Sequence, residues 1–359
     1  MHVFVRNGLL KFFPQGRIDS ENADKVEGEI FEEIDKYPDH EVSFDFRDLD
    51  YISSAGLRIL LRVRKRKKTD LEIVNVSDTV YDVFEVTRFT DAFKISRKMR
   101  SINLDSRESV IRSLNGAIYL YGDDNMVKVF NKDVSMDEIK KERDSARAAM
   151  IAGVPTLIPF DIVTVGDNYG IIYESAGNTT LAETIRLDPG RLPDLARKFA
   201  AFLNEIHEIE ADEFPDIKDR YREWLNIAGD RLPENDRRNI TTLLDGIPNS
   251  RRFIHGNINP SNIIVDGDEL MLMDMSGAAY GHPIFDLQAL YASLVEVEKD
   301  RPMYCSSVFK MSYENCKEFW QIFFDEYMKD RTEEETAKME LLLQKYYVLK
   351  QKLLMIIES

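Results

Sequence analysis

His255-Gly256-Asn257-Ile258-Asn259-Pro260-Ser261-Asn262 runs directly into the apolar stretch Ile263-Ile264-Val265, and Met271-Leu272-Met273-Asp274 follows shortly after. The two apolar runs read as neighbouring strands. Asn262 then stands where the first strand begins, and Asp274 where the second ends. An amide and a carboxylate so placed offer hard oxygen ligands that jointly suit Mg²⁺.

Upstream, Met126-Val127-Lys128-Val129-Phe130 sets a lysine in an apolar β-run. A lysine pointing into a lobe is costly unless paired. Glu142 supplies a partner from a helix opened by the capping box Ser135-x-x-Glu138. Short β-runs fill Val110–Phe130, broken at Asn115-Gly116 and Gly122–Asn125, and two more strands are predicted near 160–165 and 169–174. From Thr180 onward helices dominate, with one short β region at 262–274. The last is an amphipathic helix from Glu333 to Ile357. His207 and His282 read as structural, and Met271, Met273 and Met275 as core.

Each feature is common alone, but the ordered set is specific. It resembles the aminoglycoside phosphotransferase and choline-kinase branch of the protein-kinase-like fold over residues 109–359, with a small lobe at about 109–177 and a large lobe at about 178–359. HGNINPSNIIV is similar to the catalytic loop of that family, and LMDMSGAAYGHPIFDLQAL to its metal-binding segment. The resemblance implies that Lys128 and Glu142 anchor phosphates. It makes Tyr173–Ala176 a hinge, with Glu174 and Ala176 binding the nucleotide. It gives Mg²⁺ to Asn262 and Asp274, places His255 and Asn257 in the catalytic loop, and makes Asp286 the brace of that loop. ATP or another nucleotide, with Mg²⁺, is the implied cofactor.

Two departures stand out. The loop that should close over phosphates, Leu114–Tyr119, has a single glycine, Gly116. Asn257 occupies the family's catalytic-Asp position. An amide hydrogen-bonds a hydroxyl but cannot take its proton.

The first hundred residues alternate strand and helix signals. His2–Arg6 and Leu9–Pro14 read as strands meeting at Asn7-Gly8. Ala23, Val26, Ile30 and Ile34 mark one helix face, and Leu57, Leu60, Leu61 and Val63 another. Strands are predicted at Val42–Phe46, Leu71–Val76 and Ala92–Ile95, and a helix at Val80–Val86. Asp50-Tyr51-Ile52-Ser53-Ser54-Ala55-Gly56-Leu57 joins a strand to a helix whose first N–H groups lack internal partners. Serines there serve as caps, and a phosphoryl group on one would be held by the same N–H groups. GRIDSENA (16–23) with DLDYISSAGLRILL (48–61) resembles a STAS domain, the anti-sigma-factor-antagonist fold, over residues 1–100. The resemblance implies docking to a protein partner, an anti-sigma factor or a regulatory kinase or phosphatase, with phosphorylation at Ser54. Ser53 replaces the Asp that usually precedes that serine in switch members. The basic run from Arg62 to Lys68 reads either as a docking patch for an acidic surface or as a solvated helix end that suits the dipole. The polar stretch 101–108 reads as the linker.

The chain of 359 residues carries a net charge of −16. Residues 1–100 are nearly balanced, with 18 basic and 19 acidic side chains, whereas residues 101–359 hold 30 and 45. An acidic surface argues against nucleic-acid or anionic-membrane binding. Cys305 and Cys316 give neither a disulfide framework nor zinc spacing. No signal peptide or membrane span is legible, so the expected location is cytoplasmic. The predicted architecture is α/β plus α+β: a STAS-type β/α domain followed by a two-lobed protein-kinase-like domain. Three functions follow as expectations. The first is a bacterial-type signalling protein coupling a docking domain to a nucleotide-binding pseudokinase. The second is an active phosphotransferase for a small-molecule hydroxyl or a protein Ser/Thr. The third is an adaptor that binds no nucleotide.

Overall fold

Three- and four-residue apolar spacing between Ala23 and Ile34 produces a helix whose Ile30 and Ile34 are fully covered in the computed structural model. The structure describes residues 1–6, 8–104, 109–113, 115–177 and 179–358. The expectations placed on Asn7, on 105–108 of the linker and on Leu114 lie outside the described residues. The chain divides into two compact units, Met1–Arg100 and Ser101–Ser359.

The first unit contains β1 (His2–Arg6), β2 (Leu9–Phe13), β3 (Gln15–Ile18), α1 (Ala23–Lys36), β4 (Glu41–Asp45), β5 (Asp48–Ile52), α2 (Ser54–Lys67), β6 (Glu72–Val76), α3 (Asp78–Val86) and β7 (Lys94–Arg97). The main sheet runs β1-β2-β4-β6-β7. Its β1–β2 pair is antiparallel and the rest are parallel. Phe12, Phe44, Phe46 and Phe84 form a continuous aromatic row in the core, at centroid spacings of 5.3, 5.9 and 6.1 Å.

Three expectations for this unit change. The last strand begins at Lys94, because Phe89–Asp91 forms a 3₁₀ turn and Phe93 is drawn into the core. Leu61 is 44% exposed, while Ile59 takes a core place on α2. Most important, β3 and β5 form a separate parallel pair that the periodicity did not mark. It aligns Ile18 with Ile52, so the segments 16–23 and 48–61 meet in space. Gly56 is required where they meet: a Cβ there would lie 2.6 Å from Ile52 Cγ1 and 2.9 Å from Ile18 Cγ2.

The second unit opens with a six-stranded sheet of β8 (Arg100–Ile102), β9 (Ile111–Ser113), β10 (Gly116–Tyr121), β11 (Asn125–Phe130), β12 (Pro159–Val165) and β13 (Asn168–Glu174), in the order β8-β12-β13-β11-β10-β9. Residues 101 and 102, read as linker, thus belong to an edge strand. Ile102 is the reason, since it is buried among Val127, Val163 and Ile172. α4 (Met136–Ile151) has both reciprocal bonds of the capping box, Ser135 N–H to Glu138 and Glu138 N–H to Ser135 Oγ. The stretch read as a phosphate-covering loop is strand β10 from Gly116 onward, paired with β11, and its glycine serves that pairing: a Cβ on Gly116 would lie 2.1 Å from the Val129 carbonyl oxygen.

The large lobe is helical. Leu192–Ile206 packs on Tyr313–Tyr327 through Phe199, Phe319 and Phe323. The β region expected at 262–274 is a hairpin of Ile263–Asp266 and Glu269–Leu272 that ends two residues before Asp274, which turns out of the strand at φ +63°. The β content is larger than expected because Thr179–Thr180 joins that hairpin and Arg252–Ile254 pairs with Ala279–Gly281. The expected terminal helix is broken: Glu333–Tyr347 passes into a π-helical turn, Val348–Lys352, before Leu353–Glu358 resumes. Among the described residues no helix is long and apolar enough to cross a membrane.

Candidate functional site

Pairing of β11 with β10 and β13 turns Lys128 inward, and α4 brings Glu142 to it. Lys128 Nζ lies 2.7 Å from Glu142 Oε1 and 3.5 Å from Asp274 Oδ1. Tyr173 OH donates to the same Glu142 oxygen at 3.2 Å. All four groups are at least nine-tenths buried. Burial disfavours the lysine charge, but the Glu142 and Asp274 carboxylates outweigh it and hold Lys128 above the ordinary lysine value. Burial likewise opposes Asp274, yet Lys128 holds it below the usual carboxylate range.

Asp274 is placed by backbone bonds. Leu272 is clamped to the small lobe through Thr156 Oγ1 to its carbonyl at 3.0 Å and its own N–H to Pro155 at 2.9 Å. Asp274 itself adopts φ +63°, and Ser276 Oγ donates to its Oδ1 at 3.2 Å. Asn262 lies next to that strand, accepting Met273 N–H on its carbonyl at 3.0 Å. Its Nδ2 is spent on the Asn257 carbonyl at 2.9 Å, which leaves Oδ1 as a donor atom for a cation. Two protein oxygens suit Mg²⁺, which completes its shell with water and substrate phosphate. Among the described residues no group of three or more His, Cys, Asp or Glu could hold a metal alone.

The loop between these residues is braced from within. Asp286, fully buried, accepts His255 N–H and Gly256 N–H at 2.8 Å each and faces His207 Nε2 at 3.4 Å. His207 Nδ1 in turn meets Tyr327 OH at 2.8 Å. Burial works against the Asp286 charge, and the His207 contact and the loop N–H groups overcome it, so its carboxyl lies below the usual range. Burial pushes His255 below the ordinary imidazole value. Its Nδ1 accepts Asn257 N–H at 3.2 Å, so Nε2 carries the proton and donates to the Met273 carbonyl at 3.0 Å. His255 is therefore a structural link between the loop and the strand that delivers Asp274.

Two voids share Thr156 and Leu157 in their walls. One, of about 10 Å³, is lined by Lys128, Glu142, Tyr173 and Asp274 and is no larger than a water. The other, of about 240 Å³, is lined by Leu157, Glu174, Ser175, Ala176, Asp266 and Met271. Met271, read as core, thus forms a cleft wall beside Glu174–Ala176. Glu174 N–H and Ser175 N–H bond Ile158 and Asp124 carbonyls, while no bond to Ala176 N–H occurs among the described residues. His282 donates nothing to this site; its Nδ1 accepts Ile284 N–H at 3.1 Å.

One residue of the site was not read from the sequence. Lys350, on the π-helical turn, donates to the Gly256 carbonyl at 2.6 Å and to Asn257 Oδ1 at 3.2 Å. A lysine in a charge-laced terminal helix carries no local signal for this role.

In the first unit Ser53 caps α2, its Oγ accepting Ala55 N–H at 3.2 Å, and Ser54 is the exposed first helical residue. Arg17 stacks on the Tyr51 ring at 4.4 Å beside it. Much of the basic run is satisfied locally: Arg62 and Arg66 pair with Glu27 and Asp35 of α1, and Arg64 with Asp70.

The phosphotransferase enzyme family matches residues 115–305, and the STAS domain family matches residues 2–102. Over 93 residues the chain is 36% identical to "Putative anti-sigma factor antagonist BtrV" of Bordetella bronchiseptica, covering 25% of this chain and 79% of that protein. Among solved structures, a thermostable mutant of aminoglycoside phosphotransferase APH(4)-Ia is 14% identical, covering 71% of this chain and 88% of that one, with a TM-score of 0.49. The streptomycin–ATP complex of APH(2″)-IIa is 18% identical, covering 71% and 92%, with a TM-score of 0.45.

Proposed function

The chain belongs to the phosphotransferase enzyme family and carries a STAS domain at its N-terminus, and from that premise we propose that it is a signalling protein in which a docking domain is joined to a nucleotide-binding, transfer-deficient kinase-like domain. The observation that carries this reading is the buried set Lys128–Glu142–Asp274 beside the hinge cleft, with Asn257 where a proton acceptor is needed. Lys128 would meet nucleotide phosphates, Glu174 and Ala176 backbone groups the base, and Asn262 with Asp274 the Mg²⁺. The metal's contribution when bound is to neutralise phosphate charge. The protein's contribution is orientation: Asp286 and His255 fix the loop, and Glu142 fixes the lysine.

The N-terminal domain docks a protein of the anti-sigma-factor type or its regulatory kinase or phosphatase. Ser54 is the site where a phosphate would alter that docking, being exposed at a capped helix start. A cytoplasmic location fits this role.

A second reading, an active phosphotransferase, is supported by one observation: Lys128 lies 3.5 Å from Asp274, and Asp286 accepts two backbone N–H groups of the loop that leads to Asn262. Phosphoryl transfer depends mostly on positioning and charge. Thermal unfolding with and without Mg-nucleotide tests binding, and radiolabelled ATP turnover separates the two readings. The absence of any shift at millimolar nucleotide would favour the adaptor.

A further inference from the structure

Asn257 is the exposed member of a loop that is otherwise bonded throughout. Its N–H is held by His255, and its carbonyl accepts Asn259 Nδ2 and Asn262 Nδ2 at 3.0 and 2.9 Å. Only its side chain has freedom left, and Lys350 removes it. An ammonium has three donors and no acceptor. Asn257 must therefore turn Oδ1 toward Lys350, which orients Nδ2 the other way. Among the described residues Nδ2 has no partner. The bond from Asn257 to Asn262 also places residue 257 beside the pair of oxygens suited to the cation.

The lysine is not there as half of an ion pair. It is 5% exposed, and among the described residues its hydrogen bonds go to two neutral oxygens. Burial pushes it down to about 8; Asp286 and Asp274 partly offset this, and Arg220 adds to it. It is delivered by a π-helical turn, a local irregularity that re-aims side chains and often marks functional sites.

We propose that Lys350 is a positioning residue that fixes Asn257 as a hydrogen-bond donor, so that the loop holds the terminal phosphate of a nucleoside triphosphate and prefers a triphosphate over a diphosphate. The proposal rests on the nucleotide-binding reading above. A carboxylate at 257 would repel that phosphate, whereas an amide N–H₂ group donates to its oxygens. A freely rotating amide would present its oxygen half the time.

The test is calorimetric titration of the full chain with Mg²⁺ and either a non-hydrolysable ATP analogue or ADP. Wild type, Asn257→Ala, Asn257→Asp and Lys350→Met are compared. A hydrogen bond to a charged group is worth roughly tenfold or more in affinity. The analogue-to-ADP preference should fall by about that factor in Asn257→Ala and Lys350→Met, and further in Asn257→Asp, with ADP affinity unchanged. Asn257→Ala reads the result independently if Lys350→Met does not fold. A preference unchanged within about twofold in Asn257→Ala and Asn257→Asp, with ADP still binding, overturns the proposal alone. If wild type binds neither nucleotide, the nucleotide reading fails and the proposal falls with it.

Discussion

Lys128 Nζ stands 2.7 Å from Glu142 Oε1 with neither side chain more than 3% exposed. Removing one member of such a pair leaves a buried charge, which typically costs 3–5 kcal/mol. Lys128→Ala should therefore destabilise the unbound protein by about that amount in urea unfolding, because Glu142 and Asp274 both lose their cation. It should also abolish most of the nucleotide-dependent stabilisation, about 2.7 kcal/mol at 100 times Kd. A variant of normal stability would show that the pair is not formed in solution.

The Asn257–Lys350 contact changes what a restored carboxylate would do. A positioned base is worth about 10²–10⁴ in rate. In Asn257→Asp, however, the new carboxylate lies within reach of the Lys350 ammonium, since Asn257 Oδ1 is 3.2 Å away. ATP turnover should rise less than tenfold in the single variant. It should reach the 10²–10⁴ range only when Lys350→Met is added. Full recovery in the single variant would mean that Lys350 does not capture the side chain.

Lys350 also predicts a pH dependence. Burial pushes it down to about 8 in the folded chain, below the ordinary lysine value of 10.5. Below pH 8 both states are protonated and the native state bears the cost of a buried charge. Between pH 8 and 10.5 the unfolded chain binds the extra proton, so stability rises with pH. The stability difference between wild type and Lys350→Met should move in favour of wild type by about 3 kcal/mol across that window. Chemical unfolding at pH 7.5, 9 and 10.5 measures it, and a flat difference would contradict the shift.

At the other end of the chain, the cap and the proposed modification site are separate serines. Ser53→Ala should cost about 1 kcal/mol of stability through loss of the Ala55 N–H bond, and Ser54→Ala much less. Ser54→Asp should be neutral or slightly stabilising, since a carboxylate suits the start of α2. It should nonetheless weaken partner binding more than Ser54→Ala, because the added charge must be desolvated at the interface. Equal affinities for the two variants in a titration would remove Ser54 as a switch.

Local chemistry made much of this protein legible from sequence alone. The 3.6- and 2-residue periods gave α1, β4 and β11, and Ser135-x-x-Glu138 gave the start of α4. The spacing of Lys128, Glu142, Asn262 and Asp274 singled out the residues that the fold gathers. These features depend on neighbours along the chain, so the chain states them. The tertiary structure decided the rest. It paired β3 with β5, where a one-residue side-chain difference at Gly56 allows two motifs to touch. It gave Arg62 and Arg66 their partners on α1, which neutralises part of a basic run. It also carried Lys350 across 93 residues to Asn257. A lysine's stem and head are identical on a solvated helix and in a buried site. Only the closure of the chain, through the π-helical turn and the burial of Leu349 and Leu353 around it, determines which oxygen the ammonium meets.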